Sequence, residues 1–284
     1  MKVQIIQVPY DSGHRGLRMG AGPEHFVQNG LEHLLRDSGF EVDIDYVEAH
    51  STFRAEIKTA FELYRTLAER VASACSSGRF PLVLSGNCNS SIGTVAGVGS
   101  NQLGVIWFDS HGDFNTPETT ESGFLDGMGL ATVAGLCWKK MAASIPNFSP
   151  VSARNILHVG GRDFYSEERI LFDRSGGTIV GAAAIKNSSV KEALEPDLNA
   201  LANRVSRIYL HFDLDVLDPA GTPANEFAAP DGLSVQQLEE AVALIAERFT
   251  VCATGIAAYD PRYDKNNEVL NAGVTIMKKV LSLM

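Results

Sequence analysis

Gly104-Val105-Ile106-Trp107-Phe108-Asp109-Ser110-His111-Gly112-Asp113-Phe114-Asn115 is an apolar run that ends in an Asp-x-His-x-Asp motif. The run after the glycine predicts a buried strand. If the chain stays extended beyond it, residues two apart point the same way. Asp109, His111 and Asp113 then converge at the strand's C-terminal end, where open α/β sheets place their sites. Two carboxylates and an imidazole suit a divalent cation such as Mn2+ or Zn2+. Burying them with no cation would be costly.

A second stretch answers the first. Arg207-Ile208-Tyr209-Leu210-His211-Phe212-Asp213-Leu214-Asp215-Val216-Leu217-Asp218-Pro219 is again an apolar strand ending in carboxylates two apart. The same geometry puts Asp213 and Asp215 on one face. Together the strands present four carboxylates and a histidine, too much negative charge for one pocket unless about two divalent ions sit in it. The plainer reading of either cluster is an Asp that caps the following turn.

Working outward, 284 residues that are 45% hydrophobic suit one α/β domain over 1–284, with no linker, repeat or low-complexity tract. The net charge of −10 and the absence of a basic cluster argue against nucleic acid and anionic membranes as partners. The first residues are too short and too polar a run for a signal peptide, and no apolar run reaches the ~18 residues of a membrane span. Cys75, Cys88, Cys137 and Cys252 are dispersed, without finger spacing, which points to reduced thiols and the cytoplasm.

Strands are expected at 3–8, 40–46, 80–84, 155–159, 178–180 and 251–257, alternating with helices at 23–38, 53–77, 128–136, 167–173, 190–204 and from about 267. Ser234 and Gln237 form a capping box at the start of another helix. This alternation implies a mainly parallel sheet with helices on both faces. The Gly-rich loop from Asp11 to Pro23 carries His14, Arg15 and Arg18, which are either solvated or in contact with a substrate or interface. Cys88, in Ser85-Gly86-Asn87-Cys88-Asn89, is open to three readings: metal ligand, nucleophile or small buried hydrophobe.

The two strand-end motifs, Asp109-Ser110-His111-Gly112-Asp113-Phe114-Asn115-Thr116-Pro117 and Phe212-Asp213-Leu214-Asp215-Val216-Leu217-Asp218-Pro219, resemble signatures of the ureohydrolases. These are the arginase, agmatinase and formimidoylglutamase superfamily of binuclear manganese amidinohydrolases. The likeness covers nearly the whole chain. It implies a three-layer α/β/α fold with a mainly parallel eight-stranded sheet and two Mn2+ ions. Asp109 and Asp213 would bridge the ions, Asp113 would complete one site, and His111 with Asp215 the other. A hydroxide between the ions would attack a guanidino carbon, and Asp113 would pass a proton to the departing amine. Asn115 and Ser122 match positions that hold the amino-acid end of arginine, and Asp163 joins them as a substrate-binding candidate. The family also implies a homo-oligomer, a trimer or hexamer, and a small guanidino or amidine substrate.

The departures from the family pattern carry information of their own. Cys88 takes the place of a metal-binding His, which makes ligation its leading reading. A thiolate is soft and tilts preference towards Zn2+ or Fe2+, while the oxygen ligands favour Mn2+. Asp126, in Asp126-Gly127, stands where arginases keep a proton-shuttling His, and a carboxylate shuttles only if its pKa is raised. The carboxyl that steadies the guanidinium falls at Ala258, with Asp260 close by, and the acid that grips the α-amino group falls at Tyr165. Losing the guanidinium anchor removes a charge-assisted hydrogen bond worth about 1.5–3 kcal/mol, so a less basic N-hydroxyguanidine would lose less. The chain is thus similar to the N-hydroxy-L-arginine amidinohydrolase branch, which has a Cys at this metal position and yields ornithine and hydroxyurea. Arginine, formiminoglutamate and agmatine are the other substrate candidates. A silent metal-binding relative and a deacetylase are the competing classes.

Overall fold

The computed structural model describes residues 1–51 and 55–284. Eight strands form its central sheet: β1 (Lys2–Val8), β2 (Glu41–Tyr46), β3 (Phe80–Ser85), β4 (Leu103–Phe108), β5 (Ile156–Val159), β6 (Thr178–Val180), β7 (Arg207–Asp213) and β8 (Thr250–Ala257). Their order is β2-β1-β3-β8-β7-β4-β5-β6, and every ladder is parallel. The expected three-layer α/β/α fold is the observed one.

Strand alternation builds the layers. Val105 and Trp107 pack into one core, Ile106 and Phe108 into the other, because successive side chains leave opposite faces. The first core is closed by helices Glu56–Ser76, Ser91–Val98 and Gly129–Val133. Helices Gly22–Gln28, Leu31–Asp37, Val190–Ala202, Val235–Ala246 and Glu268–Ser282 close the second. Helix Glu56–Ser76 buries Ala60, Phe61, Tyr64, Leu67, Ala68, Val71 and Ala74, the stripe that its three-and-four spacing predicts. Its expected start at Phe53 lies outside the described residues.

Several boundaries differ from the sequence expectation, each for a local reason. The helix expected over 23–38 is split at Asn29-Gly30, where Gly30 has φ +85° and cannot continue a right-handed helix. The segment expected as a helix at 128–136 opens with a 3-10 turn, Asp126–Met128, and ends its α-helix at Val133. A short helix, Ala182–Asn187, and a one-turn helix, Lys139–Ala142, had no amphipathic pattern long enough to read. The Gly-rich loop folds into a hairpin, Tyr10–Asp11 with His14–Arg15, followed by the 3-10 turn Arg18–Ala21. The Ser234–Gln237 capping box is present, with reciprocal bonds of 2.9 and 3.2 Å.

The chain crosses over β8 and β7 to pass from β3 to β4. This is a topological switch point, and it opens a crevice at the C-terminal ends of the four central strands. Gly86, just past β3, lets the N-terminal hairpin close on that crevice: a Cβ there would meet the Tyr10 carbonyl and come within 2.7 Å of Gly20 Cα. Among the described residues no helix is long and apolar enough to cross a membrane.

Candidate metal centre

Each central strand end delivers part of the site. Beyond β3 a 3-10 turn, Cys88–Ser90, buries the Cys88 thiol 3.0 Å from Asp213 Oδ2. At the end of β4, Asp109 is fully buried; Oδ2 accepts the Trp107 indole N–H at 2.9 Å and Oδ1 the His111 backbone N–H at 2.7 Å. β7 ends in Asp213, whose Oδ1 accepts the Asp215 backbone N–H at 2.7 Å and so caps the turn Leu214–Val216. Capping and clustering are therefore one arrangement here. The cap leaves Oδ2 free to face Cys88 and swings Asp215 back into the site. Just past β8 comes Ala258, whose carbonyl accepts the Asn225 amide at 2.8 Å.

Simple strand alternation does not bring the acidic residues together. β4 stops at Phe108, and Asp113 has φ +49°, so the motif turns rather than running straight. Leu130 and Ala131 donate backbone bonds to the Asp113 carbonyl at 2.9 and 3.2 Å, and Asn115 N–H reaches the Gly127 carbonyl at 3.0 Å. These bonds hold Asp113 against the segment that carries Asp126.

Three groups result, each with ligand atoms within 4.8 Å of one another: Cys88 with Asp109 and Asp213, Cys88 with Asp113 and Asp126, and Asp109 with His111 and Asp215. All six metal candidates read from the sequence are thus brought together. Burial and mutual repulsion raise the pKa values of Asp109, Asp113, Asp213 and the Cys88 thiol. Burial opposes the His111 cation, yet Asp215 and Asp109 outweigh it and raise its pKa. In Asp215 burial is outweighed in turn by His111, and its pKa falls. Asp113 Oδ2 is buried without a hydrogen-bond partner. Crowded buried anions and an orphaned carboxylate oxygen are the condition that divalent ions relieve, so the residues fit such a pair.

Four of these residues, His111, Asp113, Asp213 and Asp215, line a cavity of about 650 Å3. Asn115, Ser122 and Asp163 line it, as does Asp126. Ala258 lines it too, so no carboxyl replaces the missing anchor at that position. Asp260 does not substitute: it is buried and held by Arg262 at 2.5 Å. Burial pushes the Asp126 carboxyl up to about 7, against hydrogen bonds from Asn89 N–H at 2.8 Å and Asn87 Nδ2 at 2.7 Å.

Other contributors carry little sequence signal. Ser110 donates its hydroxyl to Asp215 Oδ1 at 2.7 Å. Asn225, in the loop after β7, reaches Asp215 Oδ2 at 3.4 Å. Glu168 accepts the Phe114 and Tyr165 backbone N–H groups at 2.8 and 3.2 Å. Arg18 reaches the cavity wall with its guanidinium paired to buried Asp11 at 2.8 and 2.9 Å. Of the charged loop residues left open above, it is the one facing the cavity among the described residues. His14 and Arg15 are exposed.

The geometry has counterparts in known proteins. A family model described as "Arginase family" matches residues 1–282. An arginase of Bacillus caldovelox is 30% identical, covering 97% of this chain and 96% of its own. An arginase of Brevibacillus brevis is 29% identical over 98% and 97%. The solved arginase of Bacillus caldovelox superposes with a TM-score of 0.90 at 27% identity, covering 98% of this chain and 97% of that one. That of Bacillus cereus gives 0.89 at 26%, over 99% and 98%. Fold and full-length sequence similarity agree: the chain belongs to the arginase family, hydrolases of the guanidino carbon–nitrogen bond.

Proposed function

We propose that this chain is a binuclear-metal amidinohydrolase of an arginine-like amino acid, with N-hydroxy-L-arginine preferred to arginine and ornithine plus hydroxyurea as products. The observation that carries the preference is the pairing of a complete ligand cluster with an uncharged cavity wall at Ala258. Cys88, Asp109, His111, Asp113, Asp213 and Asp215 would hold the ions; the oxygen-rich set suits Mn2+, and the thiolate admits Zn2+ or Fe2+. When bound, two such ions supply Lewis acidity and an acidified water near neutral pH.

The remaining work falls to this chain's side chains. Asp113 also receives the proton of the attacking water and delivers it to the departing nitrogen. Asn115, Ser122 and Asp163 offer polar groups for the amino-acid end, and the exposed Tyr165 replaces an acid there. With Ala258 in place of a carboxyl, a guanidinium forgoes a charge-assisted hydrogen bond of about 1.5–3 kcal/mol. An N-hydroxyguanidine is less basic and forgoes less. The reading extends to a cytoplasmic homo-oligomer by family analogy.

The test is kcat/KM for arginine and N-hydroxyarginine, measured separately on Mn2+-loaded protein by ornithine release. A clear preference for the hydroxylated substrate supports the proposal. Equal or better use of arginine would show that other groups replace the anchor.

A further inference from the structure

We propose that Asp126 is a carboxylate ligand of the ion held by Cys88, and not a proton shuttle; the proposal rests on the binuclear reading above. Cys88 Sγ, an Asp113 oxygen and an Asp126 oxygen lie within 4.8 Å of one another, and all three side chains are buried. Independently of that clustering, Asp113, a member of the group, keeps its Oδ2 buried with no hydrogen-bond partner. A buried carboxylate oxygen left bare beside a thiol and a second carboxylate marks a place for a cation.

The setting of Asp126 is that of a ligand. Asn89 N–H donates to Oδ1 at 2.8 Å and Asn87 Nδ2 to Oδ2 at 2.7 Å. Asn87 is itself fixed, accepting the Ser12 backbone N–H at 2.9 Å. Ligating carboxylates are commonly oriented by such outer hydrogen bonds, which leave further lone pairs for the metal. Asp126 lines the cavity yet is only 5% exposed, and both its oxygens accept hydrogen bonds that fix its orientation. Its backbone is immobilised as well: residues 127, 130 and 131 are bonded to the 113–115 segment. The turn that presents Asp126 packs against the Cys88 turn, with Gly129 allowing the approach; a Cβ there would lie 3.0 Å from Asn89 Cα. Cys88 and Asp126 thus replace a single imidazole by a thiolate and a carboxylate at one ion.

The experiment is a Co2+ titration of chelator-treated full-length protein, reading ions bound per chain and the thiolate-to-Co2+ charge-transfer absorption. Wild type should take up about two ions per chain, one of them producing the absorption. D126N should bind the absorbing ion at least about tenfold more weakly and leave the other unchanged. Two ions bound with wild-type affinity and spectrum, together with lost turnover, would overturn the proposal and restore the shuttle. A wild type that binds no ion pair would overturn the metal centre itself and this proposal with it. Should D126N fail to fold, a crystal structure of Zn2+-loaded wild type decides. An Asp126 oxygen at about 2.0–2.2 Å from the ion supports ligation, and one beyond hydrogen-bond range overturns it.

Discussion

At the scale of residues, the proposed function rests most on Cys88, buried beside Asp213, and on Ala258, at the cavity wall. Replacing the Cys88 thiol by a hydroxyl removes a strong anionic ligand. C88S should therefore weaken one of the ions by at least about tenfold and lose most activity at limiting metal. Metal analysis after gel filtration checks this, and unchanged occupancy and rate would make the thiol a packing group. At Ala258 the backbone has φ +61°, which Glu tolerates no worse than Ala. A258E should raise kcat/KM for arginine by roughly 10–100-fold, the equivalent of a charge-assisted hydrogen bond, and narrow the preference for N-hydroxyarginine. Arginine kinetics unmoved by A258E would place the guanidine end of the cavity elsewhere. Both positions gained a reading only from the family resemblance, since neither stretch alone decides one. Ser110 and Asn225 gained none, since a lone Ser or Asn has no periodicity and gains meaning only from contact with Asp215.

At the scale of elements, helix Ser166–Ser175 supports the metal motif through one side chain. Glu168 binds Phe114 N–H and Tyr165 N–H, joining the loop after β4 to the helix start. E168A orphans both donors and should cost about 1–3 kcal/mol in urea unfolding of chelator-treated protein. Burial raises the Glu168 pKa from 4.5 to about 7. Between those values the folded state holds a proton that the unfolded state has lost, so this group's contribution to stability falls as pH rises. The gap between wild type and E168A should accordingly shrink from pH 5 to about 8; a constant gap would contradict this.

The elements themselves were largely legible. Apolar runs such as 105–108 and 208–212 admit one reading, and the Ser234 capping box was explicit. Convergence of Asp109, His111 and Asp113 was foreseen, but by the wrong geometry. Extended alternation was expected, whereas the chain turns at Asp113 with a left-handed φ that sequence pattern does not encode. The split at Gly30 has a local mark, the Asn29-Gly30 pair typical of turns, which the apolar periodicity on either side overrides.

At the scale of the molecule, the sheet gathers buried acids whose charge divalent ions would neutralise. Metal should therefore stabilise the whole fold. At ions a hundredfold above Kd the gain is about 2.7 kcal/mol per site, visible as a rise in Tm over chelator-treated protein. Identical unfolding curves with and without metal would mean the cluster is held by protons alone. The mainly parallel sheet followed from strand–helix alternation, whereas the strand order that sets β3, β8, β7 and β4 side by side was not legible, because parallel crossovers leave no local mark in sequence. The central claim is that a pair of ions drives hydrolysis of an arginine-like substrate. Its most direct test is ornithine release from N-hydroxyarginine by chelator-treated protein titrated with Mn2+. The account predicts no turnover without metal and a plateau at about two ions per chain. Absence of ornithine at full occupancy, from this substrate and from arginine alike, would contradict it.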